Sequence, residues 1–296
     1  MNTAKVILNP FGGRWSKQDK VRRVEQALHT AGIDYDLVLT DAPGHGLELA
    51  KQAARENWPV VVAAGGDGTI NEVVNGLMEA AGNHEVGPLA ILPVGTANDL
   101  ADMLALPREL NEVCRRIAGG RTRLLDVGQV NNRYFTNNSA VGLEPMVSLA
   151  HEQMRWLTGN FRYIAAAVKA IVEAKPWQMW LSWDTGTYEG PITLVSVGNS
   201  RRTGGVFYMT PKALMDDGLL DFVYGVGMGR WQMLRLLPKT LKGVHIYHPL
   251  VTYSQTSQLS ILASPATPIQ ADGEIIETQA TKITYRILPG KLRVIV

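Results

Sequence analysis

The chain has 296 residues, 46% of them hydrophobic and 19% charged, which is the make-up of a globular protein and a length that suits two domains. A net charge of +2 is too small to argue for a nucleic-acid partner, and no dense basic tract occurs. A lone cysteine, Cys114, cannot form an internal disulfide, and no apolar run approaches the roughly 20 residues needed to span a bilayer. Residues 1–5 lead into a strand without a signal-peptide apolar core, so a soluble, cytoplasmic protein is expected.

Residues 5–9 read as a short apolar strand ending at Pro10-Phe11-Gly12-Gly13. A helix follows, with Val21, Val24 and Leu28 on one face, a start at Ser16 and a stop at Gly32. Residues 35–40 are the next strand and 46–57 the next helix. The apolar run 60–64 then breaks into Gly65-Gly66-Asp67-Gly68-Thr69, and a helical stripe resumes at Ile70, Val73, Val74, Leu77 and Met78. Residues 89–92 form a fourth strand entering Pro93-Val94-Gly95-Thr96-Ala97-Asn98-Asp99 and a further helical stretch. Cys114 sits in the apolar series Leu110, Val113, Ile117, which marks it as core packing.

Repeated βα units argue for a parallel sheet covered by helices, with ligands at the carboxyl ends of its strands. Four loops lie there: Asn9-Pro10, Thr40, 65–69 and 95–99. A glycine loop opening a helix aims backbone N–H groups at one point, which suits a phosphate. Asp67 would repel that phosphate unless Mg²⁺ bridges them, or unless the acid accepts a hydrogen bond or proton. The competing reading is a plain Asp67-Gly68 turn.

After Asp126 the pattern changes. Residues 127–130 and 134–136 flank Asn131-Asn132, a hairpin signal. Helical stretches at 145–157 and 160–174 follow, then short strands at 179–183, 192–197, 219–224, 258–262, 268–270 and 283–288, with one helical insert at 229–241. This half reads as an antiparallel β domain, giving domains 1–127 and 128–296, with the last strand, 291–296, free to return to either. The stretch 154–177 interleaves Arg155, Arg162, Lys169 and Lys175 with Trp156, Leu157, Phe161, Ile164 and Trp177. An interfacial role suits it, although packing under the β domain is the commoner use of such a pattern. His245 and His248 read equally as surface or as substrate contacts.

The glycine loop with Asn71-Glu72, the 93–99 element, Asp216-Asp217-Gly218-Leu219-Leu220-Asp221 and Asp272-Gly273-Glu274 occur in order over nearly the whole chain. Together they resemble the diacylglycerol kinase and sphingosine kinase superfamily, in particular its soluble bacterial lipid kinases. The first loop departs mildly, reading Asn-Pro-Phe-Gly-Gly where many members carry a serine. The resemblance implies an N-terminal three-layer α/β nucleotide-binding domain like that of NAD kinases, then a mainly antiparallel β-sandwich domain for the lipid, with the active site in the cleft between. It implies transfer of the γ-phosphoryl group of ATP to a hydroxyl of diacylglycerol or a related lipid, taken from the membrane surface.

By the same resemblance Asn9, Thr40, Gly65, Gly66, Asp67, Gly68, Thr69, Gly95, Thr96 and Asn98 would hold the nucleotide, with Asp99 in support. Asp217 and the carbonyls of Leu214 and Leu219 would bind a structural Mg²⁺. Asp272 would be the general base or its immediate partner, Glu274 is the competing assignment, and Asp67 is the third catalytic acid. An NAD kinase and a non-catalytic nucleotide- or lipid-binding protein are the rival readings, and a homodimer remains open.

Overall fold

The computed structural model describes residues 3–13, 15–82, 84–96, 98–154 and 159–296. It divides into two units, Met1–Asp126 with Gly290–Val296, and Val127–Pro289.

The leading unit opens with β1 (Thr3–Leu8), α1 (Lys17–Thr30), β2 (Asp34–Leu39), α2 (His45–Arg55), β3 (Val61–Gly65), α3 (Asp67–Ala81) and β4 (Val86–Pro93). Two further helices, α4 (Asp99–Met103) and α5 (Leu110–Gly119), lead into β5 (Thr122–Val130), along which the chain leaves the unit. Local signals set these elements. Ser16 caps α1, its side chain accepting from Asp19 N, and Gly120 closes α5 with a left-handed φ of 64°. Strands β2, β1, β3 and β4 pair in parallel in that order, with Lys5 opposite Val61 and Gly65 opposite Pro93. The chain's last segment adds a fifth parallel strand, Leu292 facing Val86 and Val294 facing Leu89. One core lies between this sheet and helices α1 and α5, from Val6, Leu8, Val62 and Leu92 to Val24, Leu28, Val113 and Ile117. Burying each such side chain contributes about 1.5–3 kcal/mol. Cys114 is buried in that core, and burial pushes its thiol up to about 12, so it packs and does not react.

The trailing unit is mainly antiparallel. It comprises the end of β5, β6 (Arg133–Phe135), β7 (Asn138–Gly142), α6 (Leu143–Gln153), α7 (Gly159–Glu173), β8 (Trp177–Trp183), β9 (Gly186–Gly198), β10 (Leu220–Val226), α8 (Arg230–Thr240), a short 3-10 turn at Val244–Tyr247, β11 (Val251–Thr256), β12 (Gln258–Ala271) and most of β13 (Glu274–Ile295). Two long strands organise it. β9 and β12 hold two shorter strands end to end between them, β8 beside residues 186–192 and 259–264, and β7 beside 194–198 and 269–271. One core includes Val141, Val195, Val197, Ile261, Ile269, Ile283 and Tyr285. Another cluster joins α6, α7 and α8 through Val147, Ala166, Ala167, Ala170, Met228 and Met233.

The sequence pattern misses β7 and β11, and it divides β12 into two strands. The predicted helix end at 155–157 lies outside the described residues. His245 is not a surface residue: it is buried, and burial, opposed in part by the Met209 backbone, pushes its pKa down to about 4. A histidine of the unfolded chain titrates near 6.5, so between these values the unfolded state binds more protons than the folded one. Stability is therefore lost as pH falls from about 6.5 through 4, by up to about 3 kcal/mol. Thermal unfolding across that window should be less acid-sensitive in His245→Gln than in the parent.

Candidate active site

In the leading unit the carboxyl ends of β1, β2, β3 and β4 bring the sequence-predicted loops to one edge of the sheet. Main-chain bonds hold them there. Asn9 N donates to Ala64 O at 2.9 Å, Thr40 N to Leu8 O at 2.9 Å, and Val94 N and Gly95 N to Gly65 O at 3.2 and 3.1 Å. Side chains finish the join. Asn9 Nδ2 donates to Thr69 Oγ1 at 3.0 Å, and Gly95 N donates to Asn98 Oδ1 at 3.2 Å.

Glycine is required where these loops meet. A Cβ on Gly95 would lie 2.2 Å from Gly66 Cα, and one on Gly13 would lie 2.7 Å from Val94 O. Both distances are shorter than real side chains allow, so backbone touches backbone. Asn98 sits just before α4 with φ of 58°, a left-handed conformation that asparagine tolerates better than most residues. Thr69 and Thr40 are buried, whereas Thr96 is exposed. Ala97, in the middle of the 93–99 element, lies outside the described residues.

Asp67 does not sit inside a glycine loop, as the sequence suggested. It is the first residue of α3, and Gly66 alone separates that helix from β3. Gly66 is extended and offers no capping side chain, so the first N–H groups of α3 point outward as an anion site, with Asp67 favoured there by the helix dipole. No Asp67-Gly68 turn forms.

Two structural roles escaped the sequence reading, that of Lys20 and that of Glu72, which had entered only as part of a motif. Lys20, on α1 and only 1% exposed, donates from Nζ to the carbonyls of Asn9, Phe11 and Gly12 at 3.1, 3.1 and 2.8 Å. Burial lowers its pKa. Glu72 accepts from Gly44 N at 2.7 Å and Gly46 N at 2.9 Å, tying the chain after Thr40 to α3. On their own helices both look like solvent-facing charges, and only the fold supplies their partners.

In the trailing unit Asp272 and Gly273 make the turn between β12 and β13, with φ of 47° and 89°, and Ala271 pairs with Glu274 across it. The Asp-Gly hairpin turn is real, yet it is also a hub. The Asp272 carboxylate accepts from Thr136 N (2.9 Å), Thr136 Oγ1 (3.1 Å), Asn137 N (2.9 Å) and Asn138 N (3.0 Å). Its own N–H donates to Asn138 O at 2.8 Å. Four donors fill the roughly four lone-pair positions of a carboxylate. Glu274 lies 3.4 Å from Arg133 Nη2 and keeps a side chain 41% exposed.

Farther along this unit, Asp217 is exposed in the loop before β10, and its Oδ1 accepts from Leu219 N at 3.0 Å. Gly218 provides the left-handed turn, φ 75°, that brings Leu219 back. The remaining carboxylate oxygen and the carbonyls of Leu214 and Leu219 are an oxygen-only set. Hard cations such as Mg²⁺ prefer such donors and keep several waters, so the set fits one. Among the described residues no cluster of three His, Cys, Asp or Glu side chains offers a competing metal site.

Comparison with known proteins agrees with this geometry. A profile described as "Diacylglycerol kinase catalytic domain" matches residues 3–130, and one described as "YegS C-terminal NAD kinase beta sandwich-like domain" matches residues 138–296. The chain belongs to the diacylglycerol kinase family. Membership makes it a lipid kinase, a phosphotransferase with an alcohol acceptor. A diacylglycerol kinase of Bacillus subtilis is 29% identical over 93% of this chain and 90% of its own, and one of Staphylococcus aureus is 28% identical over 92% and 85%. The fold matches the crystal structure of a diacylglycerol kinase from Bacillus anthracis with a TM-score of 0.81, at 24% identity over 99% of this chain and 96% of that one.

Within this family fold Lys20 positions the first loop. Lys20→Met leaves three carbonyls without their donor and should destabilise the protein by about 3 kcal/mol. Scanning calorimetry should report that loss; an unchanged melting temperature would show that the loop holds its shape without the lysine.

Proposed function

We propose that the enzyme moves the γ-phosphoryl group of ATP, bound with Mg²⁺, onto a hydroxyl of diacylglycerol or a closely related lipid. The observation that carries this reading is the close approach of main chain at Gly66 and Gly95 beside the uncapped start of α3, a cradle of N–H groups on the scale of a polyphosphate. Asn9, Thr40, Gly65, Gly66, Gly68, Thr69, Gly95, Thr96 and Asn98 hold the nucleotide, and Asp67 faces its metal-bound side. Asp217 with Leu214 and Leu219 carries a structural Mg²⁺. Bound metal supplies charge neutralisation on the phosphate oxygens.

Phosphoryl transfer asks a protein mainly for positioning and charge neutralisation, plus a group to take the proton of an alcohol that does not ionise at neutral pH. In the trailing unit Asp272 is spoken for by four donors, so its role is to fix residues 136–138. Glu274, two residues on and half exposed, takes the proton. Lipid reaches the enzyme from a membrane surface. Phe161 and Trp231 are 80% and 78% exposed on α7 and α8, and Val168 and Val172 extend the apolar strip on α7. No helix among the described residues is long and apolar enough to cross a bilayer, which suits peripheral action at the inner face of the membrane.

Glu274→Gln should lower kcat at least 100-fold while melting temperature and ATP affinity stay unchanged. Asp272→Asn should lower both kcat and melting temperature, because an amide nitrogen cannot accept from backbone N–H groups. Full turnover by Glu274→Gln would move the base to Asp272 or Asp67. Labelled ATP offered with a lipid extract and, separately, with NAD should label only the lipid. In flotation with anionic vesicles at low salt, Phe161→Ser combined with Trp231→Ser should reduce the bound fraction severalfold.

A further inference from the structure

Glu144 stands near the start of α6, after the left-handed Gly142 that ends β7. Its Oε2 is sealed from solvent and has no partner of good hydrogen-bonding geometry among the described residues. Burial pushes its pKa up to about 7, and the hydroxyl of Ser196 beside it offsets part of that rise. Ser196 is fully buried, and its Oγ also lacks a partner of hydrogen-bonding geometry.

These groups are not scattered. Ser196 on β9 pairs opposite Ala140 on β7, so the two share a face of the sheet. Asn138 lies on the same face two residues away, about 7 Å along the strand, and its buried Nδ2 is likewise without a partner. The main chain of Asn138 is what Asp272 grips, through the N–H at 3.0 Å and the carbonyl at 2.8 Å. A row of unfilled polar atoms thus runs from the acidic turn to the start of α6. Beyond it, α6 and α7 contribute Leu143, Val147, Ala150, Ala166 and Ala170 to an apolar cluster that also takes in Met228 and Met233. Methionines repack readily around an added chain.

Native interiors leave few buried polar atoms unpaired, and two on neighbouring strands with a third at the start of α6 call for an occupant. We propose that Glu144, Ser196 and Asn138 form the subsite that binds the polar glycerol end of the acceptor lipid through its hydroxyl and ester oxygens, with the acyl portion against the methionine-lined cluster. Glu144 is a specificity-determining residue here, not the base. The inference rests on the lipid-kinase reading above for the class of lipid, but it requires only binding, not transfer.

The test uses the full chain and a short-chain diacylglycerol below its micelle concentration, without nucleotide. Calorimetric titration gives lipid affinity, and scanning calorimetry gives melting temperature. Glu144→Leu should bind the lipid at least tenfold more weakly, yet melt higher than the parent, because an unpaired buried acid has been removed. Glu144→Gln keeps the hydrogen-bonding shape and should stay within about threefold of the parent. Ser196→Ala should weaken binding by a smaller factor, and ATP affinity should not change in any variant.

Parental lipid affinity in Glu144→Leu, a lower melting temperature in that variant, or no lipid binding by the parent would each overturn the subsite. Lipid binding by the parent without phosphorylation would overturn the kinase reading and leave the subsite standing. Parental turnover with an unchanged lipid KM in Glu144→Leu would do the reverse.

Discussion

No side chain fits on Gly95, where a Cβ would lie 2.2 Å from Gly66 Cα. That contact lets the loops after β3 and β4 meet through their main chains, and it leaves the first N–H groups of α3 facing outward. Loops held by backbone bonds would lose little conformational freedom on meeting an anion, so preorganisation is built into the fold. Lys20 enforces the same arrangement from below. Its three carbonyl acceptors would otherwise be free to turn toward the anion and repel it. A buried ammonium is expensive to desolvate and stays only where several acceptors surround it.

The trailing unit solves a different problem, that of holding an acidic hairpin turn in a defined place on an antiparallel sheet. Asp272 achieves this by accepting four hydrogen bonds from residues 136–138, which links the end of β12 to the start of β7. An Asp-Gly dipeptide supplies both the positive φ angles of the turn and the carboxylate that caps the neighbouring chain. One residue therefore serves as turn former and anchor, and its neighbour Glu274 is left comparatively exposed. Such saturation of Asp272 is the reason the proton-accepting role passes to Glu274 in the mechanism proposed.

Much of the leading unit was legible because its helices carry clean amphipathic stripes and local caps. Ser16 and the apolar spacing of Val21, Val24 and Leu28 place α1 within a residue or two. The cradle was legible for the same local reason, since glycine loops sit beside the strands they end. The strand β7 was hidden because Asn138-Ser139-Ala140-Val141-Gly142 is buried throughout and shows no alternation. β12 reads as two pieces because its pairing with β13 shifts register between Leu262 and Thr267. Lys20 gave no signal, Glu72 entered only as part of a motif, and His245 read equally as surface or substrate contact. Their roles depend on partners or burial that spacing along the chain does not encode.

Unpaired polarity is the feature that separates the two units' demands on stability. In the leading unit the charged groups that matter, Lys20 and Glu72, are satisfied by carbonyls and N–H groups of the loops they order. In the trailing unit Glu144, Ser196 and Asn138 keep buried atoms without a partner of good hydrogen-bonding geometry among the described residues. Folding alone gives no reason to retain them, since apolar residues of the same size would pack there at lower free energy. In the function proposed, a nucleotide is gripped largely by backbone, which any sequence can offer once glycines permit the approach. A lipid headgroup, with few charges and a flexible tail, has to be recognised by side chains whose hydrogen bonds are left open for it.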